Sequence, residues 1–170
     1  MDATKKIKIA LSGNPNAGKT TIFNALTGLH QHTGNWPGKT VEKKEGEIEH
    51  GGNTINIVDL PGTYSLTAYS PEEIIARDFI IEERPDVVIN VVDATNLERN
   101  LYLTVQILEL DVPVVLALNM TDDLYKSGAK INVDQLSRLL GDVPVVQTAA
   151  NKGKGVPELI NKAVRLAHAN

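Results

Sequence analysis

The chain has 170 residues, and this length favours one domain that buries about 70% of the surface of its unfolded form. Apolar residues make up 42% and charged residues 22%, an ordinary globular composition that excludes disordered, collagen-like and coiled-coil chains. The net charge of −4 gives no broad attraction to nucleic acid or anionic membranes, and the absence of cysteine excludes disulfides and thiolate metal sites.

The first residues in chain order, Met1–Lys6, carry charges, and no apolar stretch with a cleavage site follows them, so we expect no secretory signal. The longest apolar runs, at residues 87–92 and 112–118, have strand length and fall far short of the ~20 residues that a membrane-spanning helix needs. We therefore expect a soluble chain on the cytosolic side.

Strands and helices alternate in the rest of the hydrophobic pattern. Short apolar runs predict strands at residues 7–12, 41–50, 54–60, 86–92, 113–118 and 143–147. Helical spacing and capping signals predict helices at residues 19–27, 71–83, 96–110, 133–140 and 156–169. Residues 29–40 have no apolar period and predict a long loop, a feature that is usually functional in compact domains. The alternation predicts a mostly parallel sheet with helices on both faces.

A glycine-rich loop joins the first strand to the first helix and has the spacing of a P-loop. Its backbone N–H groups would surround a β-phosphate, Lys19 would reach the β and γ oxygens, and Thr20 would offer its hydroxyl to Mg²⁺. The predicted phosphate-binding residues are Gly13, Asn14, Pro15, Asn16, Ala17, Gly18, Lys19, Thr20 and Thr21.

Polar residues after the strand at 113–118 predict recognition of the base. The carboxylate of Asp122 can accept hydrogen bonds from both N1–H and the exocyclic amine of guanine, a pair that adenine does not offer, while Asn119 can orient the loop and meet the other base edge. A second contact is expected from backbone N–H groups after the next strand. The predicted base-reading residues are Asn119, Met120, Thr121, Asp122, Thr148, Ala149 and Ala150.

Asp59 ends a strand before a sharp Pro-Gly turn, which suits a carboxylate that holds Mg²⁺ through water and a Gly62 amide that faces the γ-phosphate. Together with the P-loop, NMTD and TAA, this segment resembles the translation-factor-like family of P-loop GTPases. The loop TGNWPGKTVEKKEG, the segment DLPGTYSL and the helix around Ala76–Asp78 are similar to the cytosolic GTPase domain of FeoB-type ferrous-iron transporters.

The resemblance implies an α/β P-loop NTPase fold of the Ras-like type. It implies three layers, with a mostly parallel six-stranded sheet, one antiparallel edge strand and about five helices on both faces. Residues 1–170 would form a single GTPase domain, which a helical coupling domain and a membrane domain would follow in the full transporter.

The resemblance also implies two switch segments around the nucleotide. Thr40, in the first switch, would join Thr20 and Asp59 on Mg²⁺, and residues 63–70 would form the second switch. Asn16 would help to hold K⁺ beside the phosphates, with carbonyls near Trp36. The catalytic residues implied are Lys19, Thr40, Gly62 and Asn16. Further nucleotide contacts are implied for Gly38, Lys39, Thr40, Val41, Glu42, Asp59, Leu60, Pro61 and Gly62.

One departure from small signalling GTPases concerns the attacking water. Thr63 stands where those proteins have a glutamine that orients it. No arginine is an obvious substitute in cis, since Arg77, Arg84 and Arg99 lie on or beside predicted helices. We therefore expect slow intrinsic turnover, on the order of 10⁻⁴ to 10⁻² s⁻¹.

We thus predict a GTPase that uses GTP, GDP and Mg²⁺ and that regulates or energises ferrous-iron uptake at the cytoplasmic face of the cell membrane, with stimulation by K⁺ left open. Its partners would be the guanine nucleotide, the remainder of the transporter and other copies of the full-length protein, without nucleic acid. Two alternatives are a nucleotide sensor with negligible hydrolysis and a free-standing GTPase of RNA or ribosome maturation. Two loop histidines, His30 and His32, make an incomplete shell for iron, and a solvated loop is the plainer interpretation.

Overall fold

The computed structural model describes residues 6–170, and within this range the chain forms seven strands and six α-helices. The expected absence of a secretory signal concerns residues 1–5, which lie outside the described part. The strands are β1 (Lys6–Gly13), β2 (Gln31–Asn35), β3 (Glu42–His50), β4 (Asn53–Asp59), β5 (Val87–Asp93), β6 (Val114–Asn119) and β7 (Val145–Gln147). The helices are α1 (Lys19–Thr27), α2 (Pro71–Asp78), α3 (Leu97–Leu108), α4 (Thr121–Lys126), α5 (Val133–Leu139) and α6 (Val156–Ala169).

All seven strands belong to one sheet in the order β2-β3-β4-β1-β5-β6-β7. From β4 to β7 every neighbouring pair is parallel, and β3 runs antiparallel to both β2 and β4. In the middle of the sheet, Ile9 of β1 lies between Ile57 of β4 and Val87 of β5. The predicted mostly parallel α/β fold is confirmed.

Apolar side chains from the strands form a core on each face of the sheet. On one face, Ile7, Ile9 and Leu11 pack in a cluster with α1 and α6. On the other face, Ala10 and Val58 pack in a cluster with α2 and α3. Because successive strand residues point to opposite faces, the continuous apolar runs of β1 and β5 serve both clusters, which gives the predicted three layers.

The sheet has one strand more than the predicted six. Residues Gln31–Asn35, within the segment predicted as a loop, pair with β3 from Gln31 opposite Gly46 to Asn35 opposite Glu42. Four of the five β2 residues are exposed, so the strand needs no apolar alternation and leaves no pattern in the sequence. As a result β2, and not the antiparallel β3, occupies the edge of the sheet.

The helical elements differ from the prediction in two places. Helix α4 begins at Thr121, inside the segment taken as a base-reading loop, and its six residues are too few to show a helical period. Helix α2 begins as predicted, with the Ser70 hydroxyl accepting a hydrogen bond from Glu73 N at 3.2 Å, but a π-helical turn replaces the α-helix at Phe79–Glu83. None of the helices within the described range is long and apolar enough to cross a bilayer.

Candidate functional site

The predicted phosphate loop lines a cleft of about 540 Å³. Its walls bring together three segments that are far apart in the chain: the loop between β1 and α1, the turn after β4 and the end of β6. The lining residues are Asn14, Pro15, Asn16, Gly18, Lys19, Thr20, Gly62 and Met120. Because these segments follow the carboxyl ends of parallel strands in one sheet, β4, β1 and β6, the cleft lies where α/β sheets bind their ligands.

The backbone of the P-loop, residues 13–20, turns back on itself before α1. Asn16 and Gly18 have φ angles of 69° and 90°, in the left-handed region that favours glycine. A Cβ on Gly18 would lie 2.1 Å from Asn119 Nδ2, and a Cβ on Gly13 would lie 2.7 Å from Val91 O. The loop therefore packs too closely for side chains at either glycine, and it leads into a helix N-terminus, whose free N–H groups bind anions.

Lys19 and Asp59 form an ion pair at the base of this loop. Both side chains are about nine-tenths buried, and Lys19 also lines the cleft. Burial raises the pKa of Asp59, and the ammonium group of Lys19 opposes this shift without cancelling it. Such a pair can serve a magnesium phosphate complex. The positive ammonium group can bind phosphate oxygens, and the negative carboxylate can bind the hydrated metal ion.

Asn119 connects three parts of the site from the end of β6, with only 3% of its surface exposed. Its Nδ2 donates to Ala17 O at 3.0 Å, and its Oδ1 accepts hydrogen bonds from Thr148 Oγ1 at 2.9 Å and Ala150 N at 3.1 Å. Asn119 thus ties the P-loop to both base-reading segments. These contacts agree with the predicted role of orienting the loop, whereas a contact of Asn119 with the base stays a prediction.

Asp122, the predicted base reader, lies in the first turn of α4 with 13% of its side chain exposed. Its Oδ2 is 2.8 Å from Nζ of Lys152, which follows β7 in a short 3₁₀ turn. The hydrogen bond from Lys152 holds the pKa of Asp122 below its usual value, and the same pair raises the pKa of Lys152. Sequence reasoning missed Lys152, although it lies only two residues beyond the predicted contact at Ala150.

Backbone hydrogen bonds hold the segment after β4 against the end of β1, where the P-loop begins. Leu60 N donates to Leu11 O at 2.9 Å, and Thr63 N donates to Gly13 O at 3.0 Å. Gly62 lies between these two hydrogen bonds in the chain and lines the cleft. Pro15 is so near that a Cβ on Gly62 would be 3.4 Å from it. The Gly62 amide therefore lies beside the predicted phosphate site, while Thr63 is 4% exposed.

The first switch does not contribute to the wall of the cleft: none of the described residues that line the cleft comes from residues 38–42. Trp36 and Val41 are joined by a backbone hydrogen bond of 3.0 Å, which closes this segment into a turn, and Thr40 is exposed. The Trp36 ring packs edge-on against Phe79 at 5.7 Å between centroids, and Lys43 Nζ lies 4.8 Å from the Trp36 centroid. The structure therefore does not place Thr40 beside Thr20, and that contact stays a prediction.

Comparison with known proteins decides the family. The sequence model described as ferrous iron transport protein B matches residues 7–163. The chain belongs to this family. One relative is the Fe(2+) transport protein A/Fe(2+) transporter FeoB fusion protein of Porphyromonas gingivalis, which is 53% identical over 161 residues. That match covers 94% of this chain and 19% of the fusion protein, so the chain spans about a fifth of its length.

Solved structures of FeoB proteins have the same fold. The cytosolic domain of the T. maritima FeoB iron transporter in a GDP form superimposes with a TM-score of 0.93 at 48% identity, covering 99% of this chain and 66% of that one. The FeoB G-domain from Methanococcus jannaschii gives 0.85 at 52% identity, covering 98% of this chain and all of that one. These comparisons confirm both the predicted family and the P-loop NTPase fold.

Proposed function

We propose that this chain is the GTP-binding and slowly GTP-hydrolysing domain of a FeoB-type ferrous-iron transporter. The observation that carries the proposal is the convergence of the P-loop, the Gly62 turn and the end of β6 on one cleft, with Asp122 in the first turn of the helix that follows β6. The GDP form of the T. maritima relative supports guanine nucleotide as the ligand.

Each part of the site has a definite chemical task in this proposal. The P-loop amides and Lys19 bind the β- and γ-phosphates, and the Gly62 amide faces the γ-phosphate. Asp122 accepts two hydrogen bonds from guanine, and adenine would leave that carboxylate unpaired. Thr20 and Asp59, with Thr40 from the first switch, are the oxygen ligands that would hold Mg²⁺, which supplies positive charge to the phosphates.

Hydrolysis is slow in this proposal because Thr63 stands where small signalling GTPases have the glutamine that orients the water. Thr63 is buried and its amide donates to Gly13 O, so we assign that task to the Gly62 backbone, which lines the cleft. The same observation favours a second candidate function, a nucleotide sensor whose GTP and GDP states bind partners differently. Stimulation by K⁺ at Asn16, which lines the cleft, would distinguish the two because K⁺ would supply transition-state charge.

The wider role concerns parts of the transporter beyond this chain. We place the domain at the cytoplasmic face of the cell membrane, where its nucleotide state regulates or energises ferrous-iron uptake through a helical coupling domain and a membrane domain. Self-association would occur through the full-length protein. The relatives are named Fe(2+) transporters, and this name supports the assignment of the cargo.

Single-turnover hydrolysis of GTP in matched KCl and NaCl tests the proposal, with ATP as the substrate control and Asn16→Ala as the site control. We expect slow GTP hydrolysis, on the order of 10⁻⁴ to 10⁻² s⁻¹, a rise in K⁺ that Asn16→Ala abolishes, and no reaction with ATP.

The possible results separate the candidates. Equal and negligible rates in both salts, with GTP still bound in preference to ATP, would favour the sensor. Hydrolysis of ATP as fast as of GTP would contradict the proposed role of Asp122.

A further inference from the structure

A second, smaller cavity of about 160 Å³ adjoins the P-loop. It shares Asn14, Pro15 and Asn16 with the nucleotide cleft, but the rest of its wall includes Tyr64 of the second switch and Arg99 of α3. Asn14 is 4% exposed, and neither polar atom of its side chain has a hydrogen-bond partner among the described residues. The cavity is therefore a polar junction where the P-loop, the second switch and α3 meet.

Arg99 stacks on Tyr64 across this junction. Its guanidinium carbon lies 4.6 Å from the centroid of the Tyr64 ring, within the range of a cation–π interaction. Within residues 6–170, Arg99 forms no ion pair with a carboxylate. Its guanidinium group instead contacts the Tyr64 ring. In the sequence this arginine lies on a predicted helix and is no obvious substitute for the glutamine, whereas the fold places it in the cavity wall beside the P-loop.

The stacked tyrosine belongs to the segment that faces the nucleotide. Tyr64 follows Gly62 by two residues, and between them Thr63 donates its backbone N–H to Gly13 O at 3.0 Å. This stretch is thus fixed to the P-loop at Thr63 and to α3 at Tyr64. Tyr64 is 45% exposed, and its ring stacks on Arg99, so the stack restrains its position.

Such a restraint matters because backbone, not a side chain, must position the attacking water. Removing one of the restraints on the segment around Gly62 would let its amide sample more orientations, and small misplacements of positioning groups are costly in rate. We infer that Arg99 is a positioning residue for GTP hydrolysis: by stacking on Tyr64 it holds the Gly62 backbone in its productive orientation. This inference rests on the proposed GTPase function.

The test compares single-turnover GTP hydrolysis at saturating GTP in Arg99→Ala, Tyr64→Ala and the double variant, with GDP affinity measured in parallel. If the whole free energy of an exposed cation–π contact were lost from transition-state stabilisation, the rate would fall about two- to fivefold. We therefore expect each single variant to be slower by that factor. The double variant should be no slower than either single one, because both remove the same contact. GDP affinity should stay unchanged, which a general loss of structure would not allow.

Three further variants sharpen the result. Arg138→Ala, an exposed arginine on α5, should hydrolyse GTP like the original chain. Arg99→Lys keeps the charge and Tyr64→Phe keeps the ring, so each should be faster than the alanine variant at its position. Thermal unfolding of every variant should show that the fold is intact.

Original rates in both alanine variants, or effects that multiply in the double variant, would overturn the inference while the GTPase proposal stands. If the original chain bound GDP no better than ADP, the proposed function would fail and the inference with it.

Discussion

At the scale of single residues, Gly18 and Gly128 allow backbone strain to be separated from steric contact. Their φ angles are 90° and 84°, so alanine is strained at both, by about 1–2 kcal/mol. A Cβ at Gly128 meets nothing within 4 Å, whereas at Gly18 it would lie 2.1 Å from Nδ2 of Asn119.

We therefore expect Gly18→Ala to destabilise the protein clearly more than Gly128→Ala and to abolish GDP binding, while Gly128→Ala binds GDP normally. Urea unfolding and GDP titration measure the two effects. Equal losses of unfolding free energy in the two variants would show that the contact with Asn119 relaxes at no cost.

The ion pair between Lys152 and Asp122 predicts how GDP binding depends on pH. Because Lys152 lowers the pKa of Asp122, the carboxylate stays ionised to lower pH than an unpaired aspartate, and it accepts guanine N–H groups only while ionised. GDP affinity is thus present above this pKa and is lost as the pH falls through it. Lys152→Gln should raise the pKa of Asp122 and move the loss of affinity to higher pH.

The measurement is the GDP dissociation constant as a function of pH, from pH 7 down to the lowest pH at which the protein stays folded. Circular dichroism shows where the fold is lost. Lys130→Gln, another exposed lysine, is the matched control. An acid midpoint that is the same in the Lys152 and Lys130 variants would mean that Lys152 does not act on Asp122.

At the scale of elements, a buried polar chain joins two strands to α3. Thr104 Oγ1 donates to Asn90 Oδ1 at 2.5 Å, and Asn90 Nδ2 donates to Ser12 Oγ at 3.3 Å, with all three residues at least 96% buried. Thr104→Val keeps the shape but leaves an Asn90 oxygen unpaired, so we expect a loss of about 1–3 kcal/mol in unfolding free energy.

Thr33→Val on the exposed strand β2 serves as the control and should change unfolding free energy by less than about 0.5 kcal/mol. Denaturant unfolding compares the two variants. A loss in Thr104→Val no larger than in Thr33→Val would show that the buried chain contributes no net stability.

Elements whose signals are local in sequence could be predicted, and those made by tertiary contact could not. The P-loop and the capped start of α2 depend on residues within eight positions of one another, so their spacing was enough. Strand β2 exists because its backbone pairs with β3, and Lys152 meets Asp122 from 30 residues away. The same reason explains why Asn90, a mere interruption of an apolar run in sequence, is a buried connection in the structure.

At the scale of the whole molecule, nucleotide binding should raise thermal stability. A ligand at 100 times its dissociation constant stabilises a folded protein by about 2.7 kcal/mol. For a chain of this size that corresponds to a rise in Tm of about 5–11 °C. We expect this rise with GDP and none with ADP at the same concentration, as measured by differential scanning calorimetry. A comparable rise with ADP would contradict guanine selectivity.

The two strands at the ends of the sheet are its shortest. β2 has five residues and β7 has three, whereas the strands between them have six to nine. Unpaired edges invite edge-to-edge association between molecules, and short edges offer few hydrogen bonds to an intruding strand. This geometry protects the domain from polymerising through its sheet at high concentration. The short edge also protects the first switch. The turn at Trp36 follows directly after the end of β2, so a foreign strand paired with β2 would restrict the movement of this turn.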